Sequence, residues 1–124
     1  EEPDVVMVSD PTLIGPVDVT EGLKDNGILL VNTSQSPAEV KQKIGKDVKV
    51  ATVDASAISL ATIGRDIPNT PMMGALLKLV NILPFEKFLE TVKEDLTRKF
   101  HGRMNIVEGN LMAMRRAYEE VQVG

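Results

Sequence analysis

At 124 residues the chain has the length of one domain, with room for a real core. Fourteen Lys and Arg against 18 Asp and Glu leave a net charge of −4, which argues against nucleic acid or an anionic membrane as the main partner. There is no cysteine, so no disulfide, zinc–thiolate or iron–sulfur site can be built from this chain alone, and three Phe, one Tyr and no Trp leave little for aromatic cages or base stacking. No apolar run has transmembrane length and no basic-then-apolar signal segment opens the sequence, so the expected location is cytoplasmic.

In chain order, Asp4-Val5-Val6-Met7-Val8 is a short apolar run ending at Ser9-Asp10-Pro11, and Gly27-Ile28-Leu29-Leu30-Val31 is a second, ending at Asn32-Thr33-Ser34. Both read as strands buried on two faces, the pattern of a parallel sheet. A third run, Val48 to Val53, alternates more, which places it nearer an edge, and it ends at Asp54-Ala55-Ser56. Short helices are expected between the strands at Pro16–Lys24 and Pro37–Ile44. The second has Ser36 as cap, Pro37 at the first position, Glu39 three residues after the cap and Gly45 as a stop. A further helix is expected from Ser56 to Ile63, stopped by Gly64. Alternating strand and helix predicts an α/β layered sheet with right-handed crossovers.

Residues 65–80 are the stretch around which the chain is organised. Asn69 and Pro71 bracket Thr70, an N-cap type residue, with Pro71 at the first helical position. From Met72 to Ile82 only Gly74, Lys78 and Asn81 interrupt an apolar run, so this helix must be covered on most sides. Gly74-Ala75 would let another backbone come close. The polar tip, Asn69-Thr70, is expected to carry free N–H groups at the positive end of the helix dipole. Beyond it, Phe85, Phe88, Leu89, Val92, Leu96 and Phe100 give an amphipathic helix from Pro84 to about Phe100. Asn105 with Glu108 resembles a capping box ahead of the stripe Val107, Leu111, Met114, Tyr118 and Val121. The Met-rich stripe reads as core.

In open parallel sheets ligands bind beyond the carboxyl ends of the strands. Those ends carry Asp10, Asn32-Thr33-Ser34 and Asp54, joined by Asn69-Thr70 if the central helix starts there. Each such residue can be explained as a helix cap or turn former; together they point to a ligand or subunit surface. His101, the sole histidine, lies in Arg98-Lys99-Phe100-His101-Gly102-Arg103, where the cations complement a helix C-terminus. They could also hold the phosphates of a partner-bound ligand. Nothing supplies an activating partner for His101 or a helical metal-binding spacing, and Asp18, Glu21 and Asp25 read as a solvated face.

The run Gly64-Arg65-Asp66-Ile67-Pro68-Asn69-Thr70-Pro71-Met72-Met73-Gly74-Ala75 closely resembles the gamma subunit of 2-oxoacid:ferredoxin oxidoreductases, above all the pyruvate enzymes. The order of Pro3-Asp4-Val5-Val6, Asp10-Pro11-Thr12-Leu13, Gly27 to Thr33, Val53-Asp54-Ala55, Phe100 and Arg116-Ala117-Tyr118-Glu119-Glu120 agrees, so the resemblance covers essentially the whole chain. It implies an α/β, three-layer Rossmann-like, mainly parallel sheet with C-terminal helices. It further implies a part in CoA-acylating oxidative decarboxylation of a 2-oxoacid with ferredoxin as acceptor, run in either direction. Thiamine diphosphate, Mg and 4Fe-4S clusters would reside on alpha, beta and delta subunits, with no cofactor or metal held by this chain. Asn69 and Thr70, and with them Asp10, Thr33 and Asp54, become candidates for contact with a partner or CoA, with no catalytic residue among them. Family members open with a strand and a Gly-Arg-Gly-Gly-Gln-Gly-like turn that these residues lack. The expectation is therefore a partial domain, residues 1–124 being the C-terminal two-thirds of a gamma domain.

Two other readings stand beside this one. Gly27 to Ser34 resembles the strand after the cofactor site of 2-hydroxyacid dehydrogenases, which would make the chain part of a nicotinamide-dependent dehydrogenase. Alternatively the Met-rich helix makes a self-associating structural module, a homodimer when isolated.

Overall fold

A computed structural model describes residues 4–124; Pro3, which opens the first segment of the resemblance, lies outside the described residues. Three parallel strands, β1 (Val5–Val8), β2 (Ile28–Asn32) and β3 (Lys49–Val53), stand in that order, with Met7 opposite Leu30 and Leu30 opposite Ala51. A two-residue β4 (Gln122–Val123) pairs antiparallel with the far side of β3, so the third strand has only this short cover between it and the sheet edge. Every residue of β2 is buried, as its unbroken apolar run requires of a strand covered on both faces.

The side-chain alternation splits the core in two. Ile28, Leu30, Ala51 and Val53 face a layer formed by α2 (Ala55–Thr62), α3 (Asn69–Leu79) and α5 (Met104–Glu120), where Ile58, Met72, Ala75, Ala113 and Ala117 meet them. Val8, Leu29, Val31 and Val50 face α1 (Pro37–Ile44) through Val40. The result is an α/β fold of three layers. Helix α1 carries the expected capping box, Ser36 accepting from the Glu39 amide and Glu39 accepting from the Ser36 amide, and Gly45 closes it at φ 72°.

Four sequence expectations need correcting. Residues 16–24 are not helical. Asp18 accepts hydrogen bonds from both the amide and hydroxyl of Thr20, and Gly15 and Gly22 sit at φ 108° and 81°, so local turn chemistry outcompetes the helix. The β1–β2 connection instead covers the α1 side of the sheet with Ile14 and Val19. Helix α2 starts one residue before Ser56, because Asp54 is its cap and accepts from the Ala57 amide. Helix α5 starts at Met104, one residue before Asn105, with no side-chain cap; the Ile106 and Val107 amides bond to the Arg103 carbonyl instead.

The fourth correction concerns α3. It starts at Asn69, two residues before Pro71, because Pro68 already has helical angles and the Thr70 amide bonds to the Ile67 carbonyl at 3.3 Å. The Met72 amide is taken by the Pro68 carbonyl and Pro71 has none to offer, so the tip lacks the row of free N–H groups expected of it.

The close approach expected at Gly74 is present. A Cβ there would collide with the carbonyl of Met114, 2.6 Å from its carbon, and one on Gly109 would lie 2.6 Å from the Thr62 oxygen. These two glycines let α5 press against α3 and α2 almost backbone to backbone. Pro71, Met72, Gly74, Ala75 and Leu77 are buried as a result, while Met73 and Lys78 face outward. Helix α4 (Phe85–Lys99) is held mainly by α5: Phe85 stacks on Tyr118 at 4.0 Å, Arg115 grips Glu86 through both carboxylate oxygens, and Leu89 is its one buried residue.

Candidate functional site

Polar groups gather where the three parallel strands end. Asp10, just past β1, accepts from the Thr12 hydroxyl at 2.6 Å and the Thr12 amide at 3.0 Å. These bonds, the hydroxyl first, hold its carboxyl below the usual carboxylate range. Thr33, just past β2, donates its amide to the Val53 carbonyl at 3.0 Å, keeping β2 and β3 together to their ends, and its hydroxyl accepts from the Gln35 amide. Asp54, just past β3, caps α2 and is half-buried.

Two shallow cavities share the Thr33-Ser34-Gln35 wall. One, of about 160 Å³, brings Thr33 together with Asp54, Thr52, Glu120 and Gln122. The other, of about 410 Å³, lies toward Pro11 and Thr12, next to Asp10, and has Lys43 on its rim. Asn69 and Thr70 share neither cavity, and no hydrogen bond of theirs reaches Asp10, Thr33 or Asp54. The strand ends and the α3 tip are separate patches of surface.

Next to the strand ends, two buried side chains, Asn32 and Ser59, organise the polar main chain around them. Asn32, 5% exposed, donates from Nδ2 to the Ser9 carbonyl and to the Ser56 hydroxyl, each at 2.9 Å, and accepts from the Ser56 amide at 3.1 Å. One side chain thus ties the end of β1 to β2 and to the first turn of α2. Three residues on, the fully buried Ser59 donates to the Arg65 carbonyl at 2.6 Å and accepts from the Ile67 amide at 2.9 Å. No buried side-chain polar atom among the described residues is left without a partner. The sequence marks Ser56 only as a helix start and does not single out Ser59, because a serine in an apolar helix looks like a neutral filler; their signal is the three-residue spacing that puts both on one face. Nor does the sequence place Glu120 and Gln122 at the strand ends, which they reach only because β4 folds back onto β3.

His101 sits exposed in the α4–α5 turn at φ 51°, with Arg98 and Lys99 in the last turn of α4 as the helix dipole favours. Among the described residues no three of His, Cys, Asp and Glu converge as metal ligands, and no helix is long and apolar enough to cross a membrane.

The family model of the pyruvate ferredoxin/flavodoxin oxidoreductases matches residues 1–120. The chain belongs to that family. Pyruvate synthase subunit PorC of Thermotoga maritima is 43% identical over 122 residues, which is 98% of this chain and 62% of the relative. The pyruvate/ketoisovalerate oxidoreductases common subunit gamma of Pyrococcus furiosus is 44% identical over 123 residues, again 98% of this chain and 63% of the relative. The chain therefore spans about three-fifths of the length of the curated relatives it matches. The crystal structure of the Thermotoga maritima pyruvate oxidoreductase subunit PORC superposes with a TM-score of 0.83, covering 100% of this chain and 66% of that one. Membership of the pyruvate ferredoxin/flavodoxin oxidoreductase family agrees with the gamma-subunit resemblance and displaces the reading as part of a nicotinamide-dependent dehydrogenase.

Proposed function

We propose that the chain serves as the gamma piece of a multi-subunit 2-oxoacid:ferredoxin oxidoreductase, with pyruvate as the substrate, in CoA-acylating oxidative decarboxylation. It contributes structure and contacts while the redox chemistry happens on other polypeptides. The observation that carries this reading is the family match across residues 1–120 in a chain without cysteine. With no cysteine it offers no thiolate for a 4Fe-4S cluster. The 4Fe-4S clusters, Mg and thiamine diphosphate belong, on this reading, to alpha, beta and delta subunits, through which ferredoxin is reduced. The contact residues would be Asp10, Thr33 and Asp54 at the strand ends and Asn69 and Thr70 at the α3 tip, facing a partner subunit or CoA.

Affinity purification of the tagged protein from the cells that make it is the test. Thiamine-diphosphate-binding polypeptides should accompany it in a fixed ratio. Recovery of the protein alone, or only as a homodimer with a closed surface, would remove the proposal and favour the self-associating module.

A further inference from the structure

We infer that Ser59 is a positioning residue, which sets the Arg65–Pro68 turn and the start of α3 as a rigid extension of the strand-end surface. This rests on the reading above that the α3 tip meets a partner subunit. The turn itself looks made for contact. Arg65 and Asp66 are exposed and neither forms an ion pair among the described residues, and Ile67 between them and Pro68 is 39% exposed. A turn bearing two charges and an exposed branched aliphatic side chain would ordinarily be mobile. Here its backbone is clamped from beneath: one fully buried hydroxyl donates to the carbonyl of Arg65 and accepts from the amide of Ile67, the residues on either side of Asp66.

The clamp shares α2 with the strand-end cluster. The Ser59 hydroxyl also lies 3.2 Å from the Ser56 carbonyl, Ser56 is bonded twice to Asn32, and Asn32 is bonded to Ser9. At the other end Ile67 accepts from the Thr70 amide. Two hydrogen-bonded clusters, Asn32 with Ser9 and Ser56, and Ser59 with Arg65 and Ile67, are therefore held one turn apart on α2, which links the end of β1 to the first turn of α3. Pre-setting both patches removes an ordering cost on association, which is what a positioning residue would contribute.

The test uses the assembled complex with Ser59→Ala, Ser59→Thr, Arg65→Ala and Ile67→Ala. In the unaltered protein the Ile67 amide should exchange as slowly as amides of the sheet, despite the exposure of its side chain. Ser59→Ala should speed that exchange while Leu29 and Leu30 stay protected. It should also weaken association with the other subunits by about tenfold, the loss of roughly one well-made hydrogen bond. Ser59→Thr, which keeps the hydroxyl, should restore both. Combined with Ile67→Ala, Ser59→Ala should add little further loss. A fast-exchanging Ile67 amide in the unaltered protein, or unchanged association in Ser59→Ala, overturns the positioning role. If Arg65→Ala and Ile67→Ala both bind as tightly as the unaltered protein, the contact reading of the α3 tip is what fails.

Discussion

Gly74→Ala is expected to unfold this protein at a markedly lower temperature, a drop of roughly 10 °C or more. The added methyl has nowhere to go. Its neighbours are the carbonyl and Cα of Met114, backbone atoms of α5 in mid-helix that no rotamer change can move. Relief requires α3 and α5 to separate, and Met72, Ala75, Ala113 and Ala117 would all lose contact at once. Overpacking of a tight core costs typically ~1–3 kcal/mol, and a clash with main chain belongs at or above the top of that range. Gly45→Ala is the control. That glycine sits at φ 72° with open space around its absent side chain, so the cost is the backbone penalty alone, about 1 kcal/mol. Calorimetry of the two variants separates the mechanisms, and a Gly74→Ala protein as stable as Gly45→Ala would mean that the α3–α5 approach is looser than described.

Asn32→Ala should rank next, at about 2–4 kcal/mol in chemical denaturation. Three hydrogen bonds disappear, and the Ser9 carbonyl and Ser56 amide lose a partner that is itself buried. Asn32→Asp is more informative because its effect depends on pH. The position that donates to the Ser9 carbonyl becomes an oxygen, which can donate only when protonated, so burial and this facing carbonyl raise the carboxyl's folded-state pKa. A raised folded pKa means the variant comes nearest the unaltered protein below about pH 4, where the acid is protonated in both states. The gap should then widen as pH rises, because the unfolded chain ionises freely while the folded one resists. A gap that narrows from pH 4 to pH 7 would contradict the donor role assigned to Asn32.

Much of the fold can be read from residue pattern alone, and the exceptions are instructive. Strand β2 is legible because Ile28–Val31 is a short, unbroken apolar run between Gly27 and the polar Asn32-Thr33-Ser34, too short for a helix and fit for a strand sheltered on both faces, and α1 because Ser36, Pro37, Glu39 and Gly45 each fix a different backbone group. Gly74 signals a close approach before its partner, Met114, is known. Residues 16–24 mislead because Asp18 and Thr20 satisfy each other locally, a competition that apolar spacing does not register. Helix α3 misleads at its start, since Pro68 enters helical angles without any capping side chain. β4 leaves almost no trace, being two residues long with Gln122 as half of it. The candidate site is legible as a set of polar strand ends. Its supports, Ser56 and Ser59, are not, because their importance lies in which main-chain groups fold back onto them.

The central claim is that this polypeptide acts through an assembly and performs no chemistry unaided. Pyruvate- and CoA-dependent reduction of ferredoxin measured for the purified protein alone, and again after adding the thiamine-diphosphate-binding and iron–sulfur subunits, decides it. The account predicts no turnover in the first case and turnover in the second. Reduction of ferredoxin by the protein on its own would contradict it.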